Sequence, residues 1–200
     1  MISLPELLTR AVVDLEDSGV QFAVVGGLAV GVYAEPRFTK DIDFAISSMS
    51  DADAEQLTAS MFRRGYQLVS QLENKPDRRL RAVRLKLRSD DNCPLVDLLF
   101  DASGIESEAV EYAEVTEVFP GVAAPVARPA ELIAMKMLAS DNKRRHFDHR
   151  DMAVLLDLAN AETANIVRQR LELITDRGLN RGRDLVAEFD ELLTRLDWSG

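Results

Sequence analysis

The chain has 200 residues, of which 46% are hydrophobic and 29% are charged, and such values are typical of a folded globular protein rather than a disordered one. The net charge of -10 argues against a general nucleic-acid coat, because sequence-independent binding depends on cationic groups that release counterions from phosphates. No apolar run reaches the ~18 residues that a membrane span needs, and the N-terminus lacks the pattern of a signal peptide, so we expect a cytoplasmic protein with no membrane partner.

The chain begins with a predicted helix, strand and second helix. Apolar residues at helical spacing predict the first helix over residues 4–18. A short, apolar and β-branched stretch at residues 21–25 then runs into Gly26 and Gly27, and helix-compatible residues continue to Ala34. We therefore predict a strand, a tight glycine turn and a short helix.

Two aspartates lie on the next predicted strand. Asp41 and Asp43 alternate with the apolar residues Ile42, Phe44 and Ile46, and this period of two predicts a strand with one apolar face. Both carboxylates then share the other face, close enough to hold one or two divalent cations, and magnesium prefers such hard oxygen ligands. The alternative is a solvated strand face beside a turn.

A helix over residues 51–64 precedes a β-hairpin formed by residues 81–87 and 95–100. Asp97 interrupts an apolar run on the second hairpin strand, so it would bring a third carboxylate to the same point. The alternative is a carboxylate paired with one of the hairpin's arginines. This segment also contains a basic cluster, which we interpret either as a solvent-exposed face of the hairpin or as a binding surface for a polyanion. The cluster comprises Arg78, Arg79, Arg81, Arg84, Lys86 and Arg88.

The character of the chain changes from mixed to helical near residue 127. Residues 115–126 form short strand and loop pieces. The helices predicted after them begin at Pro129 and include residues 150–160, 164–176 and 183–197. We therefore predict an α/β (α+β) protein, with a small mixed sheet flanked by helices in residues 1–127 and a C-terminal helical portion in residues 128–200.

The glycine turn can bind phosphate. A Gly-Gly turn between a strand and a helix leaves backbone N–H groups unobstructed by Cβ atoms, and chains bind phosphate oxygens with such groups. The alternative is that Gly26 and Gly27 serve only a tight turn, which is the commoner role of a glycine pair. Here they precede the aspartates within one strand-turn-helix-strand unit, and that conjunction favours a nucleotide site.

The order and spacing of these residues carry a resemblance. Residues 25–27 (VGG), 41–44 (DIDF) and 96–98 (VDL) resemble the signature of the nucleotidyltransferase, or DNA polymerase β-like, superfamily. Within it, the stretch GGLAVGVYAEPRFTKDIDF is most similar to the AbiEii-type toxins of bacterial abortive-infection and toxin–antitoxin systems. Arg37 and Thr39 match an Arg-x-Thr-x-Asp segment of those toxins. The resemblance extends to a helix lysine and a later aspartate, whose places Lys136 and Asp148 take.

This resemblance implies a nucleotidyltransferase fold and the transfer of a nucleoside monophosphate from a nucleoside triphosphate (NTP) to an acceptor hydroxyl. It implies two Mg2+ ions on the three aspartates, and a lysine that neutralises triphosphate charge. The alternative for that lysine is a side chain that lies along an amphipathic helix with its charge in water. The implied catalytic residues are Asp41, Asp43, Asp97, Lys136 and Asp148. The implied nucleotide-binding residues are Gly26, Gly27, Arg37, Thr39 and Lys136.

Three hypotheses about function follow. The first is an AbiEii-like toxin that modifies an RNA such as tRNA and has a cognate antitoxin. The second is a nucleotidyltransferase that acts on a small molecule, such as an aminoglycoside or lincosamide, or on a protein. The third is a non-catalytic binding partner that keeps only the fold. The intact aspartates argue against the third, and the basic residues favour the polyanionic acceptor of the first.

Overall fold

The computed structural model describes residues 2–34, 39–47, 50–74, 79–90, 92–140 and 146–198, and for residues 146–150 it describes the backbone alone. The chain divides into two units. The first consists of Met1–Ala102 and Glu106–Ala127, and the second of Ser103–Ile105 and Arg128–Gly200.

The first unit contains the strands. Its elements in chain order are α1 (Leu4–Glu16), β1 (Phe22–Val25), α2 (Gly26–Tyr33), β2 (Asp41–Ile46), α3 (Asp51–Arg63), β3 (Tyr66–Glu73), β4 (Leu80–Leu87), β5 (Leu95–Leu99), α4 (Glu106–Glu111), β6 (Glu114–Phe119) and β7 (Val122–Val126). The second unit is helical in its described part, with α5 (Pro129–Ala139), α6 (His146–Asp157), α7 (Ala161–Asp176) and α8 (Leu185–Arg195).

The strands form one mixed sheet in the order β3-β4-β5-β2-β1-β7-β6. Strands β2 and β5 run parallel, as do β1 and β7, and the other neighbouring pairs are antiparallel. The predicted mixed sheet with flanking helices is therefore confirmed. Strand β3 was not predicted, because most of its residues are exposed and a register shift between Leu68 and Ser70 interrupts the alternation that would mark a strand.

One face of the sheet belongs to the core of the first unit. Ile42, Phe44 and Ile46 on β2 are completely buried, and Ile42 and Phe44 have the buried Val96 and Leu98 as their register partners on β5. Successive side chains of a strand point to opposite faces. The two aspartates of β2 therefore project from the face opposite this apolar layer.

Serine caps define where two helices of the first unit begin. Ser3 accepts a hydrogen bond from the backbone N–H of Glu6 at the start of α1, and Ser50 accepts one from that of Asp53 at the start of α3. In both cases the acidic side chain accepts a hydrogen bond from the serine backbone in return. Such reciprocal caps satisfy helix N–H groups that have no partner within the helix.

The second unit is built around α5. This helix is buried on nearly all of its surface, which is the pattern of a helix at the centre of a unit rather than at its edge. A buried ion pair joins it to α7, where Arg170 Nε donates to Oε1 of Glu131 at 2.9 Å. Within the described ranges, none of the helices has the length and apolarity that crossing a membrane requires.

Candidate active site

A row of charged side chains crosses the sheet on the face opposite the core. Asp43 on β2 is the register partner of Asp97 on β5, and Arg84 on β4 is the partner of Asp97 from the other side. Asp41 precedes Asp43 by two residues on the same strand and shares its face. Because neighbouring strands lie about 4.8 Å apart, the three predicted aspartates are brought together with one arginine.

The members of this row differ in their exposure. Asp97 is only 8% exposed, whereas the side chains of Asp41 and Arg84 are 36% and 40% exposed. A buried carboxylate must be paired or neutralised, since removing an isolated charge from water is costly. Asp97 therefore needs a partner within the protein, while Asp41 remains within reach of solvent.

Arg84 is that partner. Its Nε donates to Oδ1 of Asp97 at 2.8 Å and its Nη2 to Oδ2 at 2.6 Å, so the guanidinium engages both carboxylate oxygens. The same Nη2 lies 3.6 Å from Oδ2 of Asp41. The hydrogen bonds to Asp97 raise the pKa of Arg84, partial burial opposes the rise, and the charges of Asp97, Asp41 and Asp43 add to it.

The pairing matches the alternative that the sequence left open for Asp97, a carboxylate held by a hairpin arginine. Among the described residues, no three acidic, histidine or cysteine side chains are arranged as a metal site. Asp41 and Asp43 nevertheless fit a divalent cation, because they offer hard carboxylate oxygens from one strand face, the ligand type that Mg2+ takes in proteins.

The glycine turn packs directly against this row. Helix α2 begins at Gly26, whose φ of 66° lies in the left-handed region, and a Cβ there would lie 2.1 Å from Oδ2 of Asp43. Only glycine fits both demands. Gly27 occupies the first turn of α2, and Val25 at its N-cap provides no side-chain hydrogen bond. The positive end of α2 thus lies beside the aspartates, where it favours anions.

Two predicted nucleotide-binding residues, Arg37 and Thr39, precede β2. The hydroxyl of Thr39 donates to the backbone carbonyl of Asp41 at 3.2 Å, so in this conformation it supports the strand that carries the aspartates. Arg37 lies outside the described residues.

Lys136 belongs to the second unit and is buried there. The residue is 9% exposed, and its Nζ donates to Oδ2 of Asp151 at 2.6 Å, an aspartate that is itself 3% exposed. The alternative of a lysine with its charge in water does not describe this ammonium group. Asp148 lies on α6, but its side chain is outside the described part.

Asp151 was missed by the sequence prediction. It lies one turn after Asp148 on the same helix, so spacing alone did not separate the two. The available signal was its position immediately before the apolar residues Met152, Leu155 and Leu156, all of which are buried. An acidic residue at the border of an apolar helix face is placed where a buried lysine on a neighbouring helix can reach it.

The basic residues of the hairpin that the structure describes differ in their contacts. Arg81 pairs with Asp101, and Arg84 is engaged by the aspartates. Lys86 lies two residues after Arg84 on the same face of β4, opposite Gln67 of β3. Arg78 is outside the described residues.

Several solved structures are similar to this chain. An antigenic nucleotidyltransferase-like protein from Paracoccidioides brasiliensis is 19% identical, with 94% of this chain and 92% of that chain covered and a TM-score of 0.56. The antibiotic-resistance factor ANT(2'')-Ia is 14% identical, with 96% and 94% covered and a TM-score of 0.55. Its structure in complex with adenylyl-2''-tobramycin gives 15% identity, 86% and 97% coverage and a TM-score of 0.55. At these identities the likeness establishes the nucleotidyltransferase fold. No curated protein sequence matches the chain significantly.

The sequence itself matches one family model over residues 7–200, nearly its whole length, and that model describes the nucleotidyl transferase AbiEii toxin of type IV toxin–antitoxin systems. The match confirms both the resemblance that the glycine and aspartate motifs carry and the predicted enzyme class. The chain belongs to the AbiEii toxin family and is a nucleotidyltransferase.

Proposed function

We propose that this chain transfers a nucleoside monophosphate from an NTP to a hydroxyl group of an RNA such as tRNA, as the toxin of a toxin–antitoxin pair. The observation that carries the proposal is the placement of Asp41 and Asp43 on one strand face, directly beside the N-terminus of α2 at Gly26. Carboxylates suited to a divalent cation and backbone N–H groups suited to phosphate lie together there, which supports nucleotidyl transfer.

The proposed metal ligands are Asp41 and Asp43. When bound there, Mg2+ would polarise the α-phosphate and stabilise the charge of the leaving pyrophosphate. The first turn of α2, which contains Gly26 and Gly27, would donate backbone N–H groups to phosphate oxygens. Thr39 would act by supporting the backbone of Asp41, with which it is hydrogen-bonded.

In the second unit, Lys136 is proposed to neutralise triphosphate charge. Asp151 accepts a hydrogen bond from its Nζ, so Asp151 would hold the ammonium group in one orientation and thereby act as a positioning residue. Asp148 and Arg37 remain proposed contacts of the nucleotide, on the strength of the family resemblance alone.

An RNA acceptor is favoured by the charge beside the aspartates. Lys86 lies on the same face of the sheet as Arg84, and cationic side chains position a nucleic-acid backbone through its phosphates. The toxin–antitoxin context of the family adds a cognate antitoxin as a proposed partner. The second candidate acceptor is a small molecule, because ANT(2'')-Ia, which has the same fold, has been captured with an adenylylated aminoglycoside.

Label transfer distinguishes these acceptors. The purified chain is incubated with each α-labelled NTP, Mg2+, and either total tRNA or a set of aminoglycosides and lincosamides. We expect label on RNA with the wild type and none with Asp43→Asn. The matched control is Asp176→Asn, which neutralises an exposed carboxylate at the end of α7 and should retain wild-type labelling. Label on a drug alone would replace the RNA proposal, and no label on any acceptor would overturn both.

The toxin role has a separate test in cells. Expression of the wild type should arrest growth, and Asp41→Ala should relieve the arrest because it removes a proposed metal ligand. Normal growth on expression of the folded wild type in the natural host without its antitoxin would contradict the role.

A further inference from the structure

Arg84 engages both oxygens of the Asp97 carboxylate. Those oxygens accept hydrogen bonds from Arg84 at 2.8 and 2.6 Å, in the bidentate geometry that makes arginine–carboxylate pairs strong and directional. Asp97 is also buried, so breaking the pair would leave a charge without compensation. A metal ion that used Asp97 as a ligand would compete with this guanidinium for the same two oxygens and would bring a second positive charge against it.

Arg84 also reaches toward the proposed metal ligands. Its Nη2 contacts the carboxylate of Asp41 at 3.6 Å while bonding Asp97, so one cationic group lies between two of the three carboxylates. The side chain is 40% exposed, which leaves part of the guanidinium accessible from the open face. An arginine guanidinium is not deprotonated in proteins, so Arg84 keeps its charge at every physiological pH.

A guanidinium in this position can do the electrostatic work of a metal ion. It carries a permanent positive charge and presents N–H donors in a planar fork that matches phosphate oxygens as well as carboxylates. A preorganised cation of this kind stabilises charge that develops on a transferred phosphoryl group. Its hydrogen bonds to Asp97 would fix the orientation of the Arg84 guanidinium, while the opposite edge of the guanidinium would remain available to phosphate oxygens.

We propose that Arg84 takes the place of a second metal ion: the site binds one divalent cation on Asp41 and Asp43, and Arg84, anchored by Asp97, supplies the second positive charge to the nucleotide phosphates. This differs from the two-metal site that the sequence resemblance implies. The phosphate contact rests on the proposed function, whereas the number of bound cations does not depend on turnover.

Binding of Mn2+ alone, followed by the electron paramagnetic resonance of the free ion, tests the proposal. We expect one Mn2+ per wild-type chain and a loss of binding in Asp43→Asn. The double variant Arg84→Met/Asp97→Leu replaces the pair by apolar side chains, a change that buried ion pairs often tolerate, and it should still bind one Mn2+. The control Asp176→Asn should match the wild type.

For the single variant Arg84→Met we expect stronger Mn2+ binding than for the wild type. Removing a positive charge that lies 3.6 Å from the carboxylate of Asp41 should tighten Mn2+ binding about tenfold or add a second ion, since Asp97 becomes available. Circular dichroism establishes whether each variant is folded. If Arg84→Met does not fold, Mn2+ binding by the double variant tests the proposal. Two Mn2+ per wild-type chain, or a folded double variant that binds as poorly as Asp43→Asn, would overturn the proposal.

The outcomes separate this proposal from the proposed function. A chain that binds one Mn2+ but labels no RNA retains the site with a single cation beside Arg84 and loses the RNA acceptor. A chain that labels RNA but binds two Mn2+ retains nucleotidyl transfer to RNA and loses the role of Arg84.

Discussion

The contact between Gly26 and Asp43 allows a quantitative prediction. Gly26→Ala places a Cβ at φ 66°, and a non-glycine residue in the left-handed region costs ~1–2 kcal/mol. The new Cβ would also lie 2.1 Å from Oδ2 of Asp43, and such overpacking costs a further ~1–3 kcal/mol. The free energy of unfolding should therefore fall by about 2–5 kcal/mol, a large part of the ~5–15 kcal/mol that a domain possesses.

Two other glycines separate the two costs. Gly19 has a φ of 71° but nothing within 4 Å of an added Cβ, so Gly19→Ala should show the backbone cost alone, about 1–2 kcal/mol. Gly31 lies within α2, has an ordinary φ and also has open space, so Gly31→Ala should raise stability by ~0.5–1 kcal/mol.

Urea denaturation monitored by circular dichroism measures these differences as shifts in the transition midpoint at constant slope. Combining Gly26→Ala with Asp43→Ala should recover ~1 kcal/mol or more relative to additivity, since the carboxylate that meets the new Cβ is gone. If Gly26→Ala costs no more than Gly19→Ala, or if the double variant is strictly additive, the packing of Asp43 against the glycine turn is refuted.

Three further predictions concern stability. Lys136→Met should lower the free energy of unfolding by ~3–5 kcal/mol, because it removes the ammonium group that donates to the buried carboxylate of Asp151, and adding Asp151→Leu should restore most of the loss in the same urea assay; an undiminished loss would contradict the pairing. Burial raises the pKa of Tyr66, and the charge of Asp14 adds to the rise. The contribution of the protonated phenol to stability is therefore fully present below the unfolded pKa of about 10, and it is lost as the pH rises from there toward the folded pKa. Tyr66→Phe should therefore flatten the decline in stability above pH ~10, and an unchanged alkaline profile would refute this. Ser50→Ala removes the α3 cap and should cost ~1 kcal/mol, whereas a cost indistinguishable from zero would contradict the capping role.

Local pattern was sufficient to predict much of the fold. The alternation of Asp41 to Ile46 predicted β2 and the face of its aspartates, and the apolar run from Pro129 predicted α5, whose bounds begin at that proline. Strand β3 was not predicted from the sequence, because an exposed edge strand with a register shift has neither a continuous apolar face nor a regular period. Its existence depends on pairing with β4, which is a tertiary interaction.

The shared face of two of the aspartates was predictable, but the partner of the third was not. The common face of Asp41 and Asp43 follows from their spacing. The position of Asp97 beside Asp43 depends on the register between β2 and β5, and its pairing with Arg84 depends on the register between β4 and β5. The sequence offered six basic residues near the hairpin and no means of ranking them. Likewise, the pairing of Lys136 with Asp151 depends on how α5 packs against α6.

The central claim is that Asp41 and Asp43 support transfer of a nucleoside monophosphate, and the most direct test compares α-labelled with γ-labelled NTP on the same RNA. We predict that the wild type transfers the α-label and releases the γ-label in pyrophosphate, and that Asp43→Asn transfers neither while Asp176→Asn behaves as the wild type. Transfer of the γ-label to the RNA, or transfer of the α-label by a folded Asp43→Asn variant at the wild-type rate, would contradict the account.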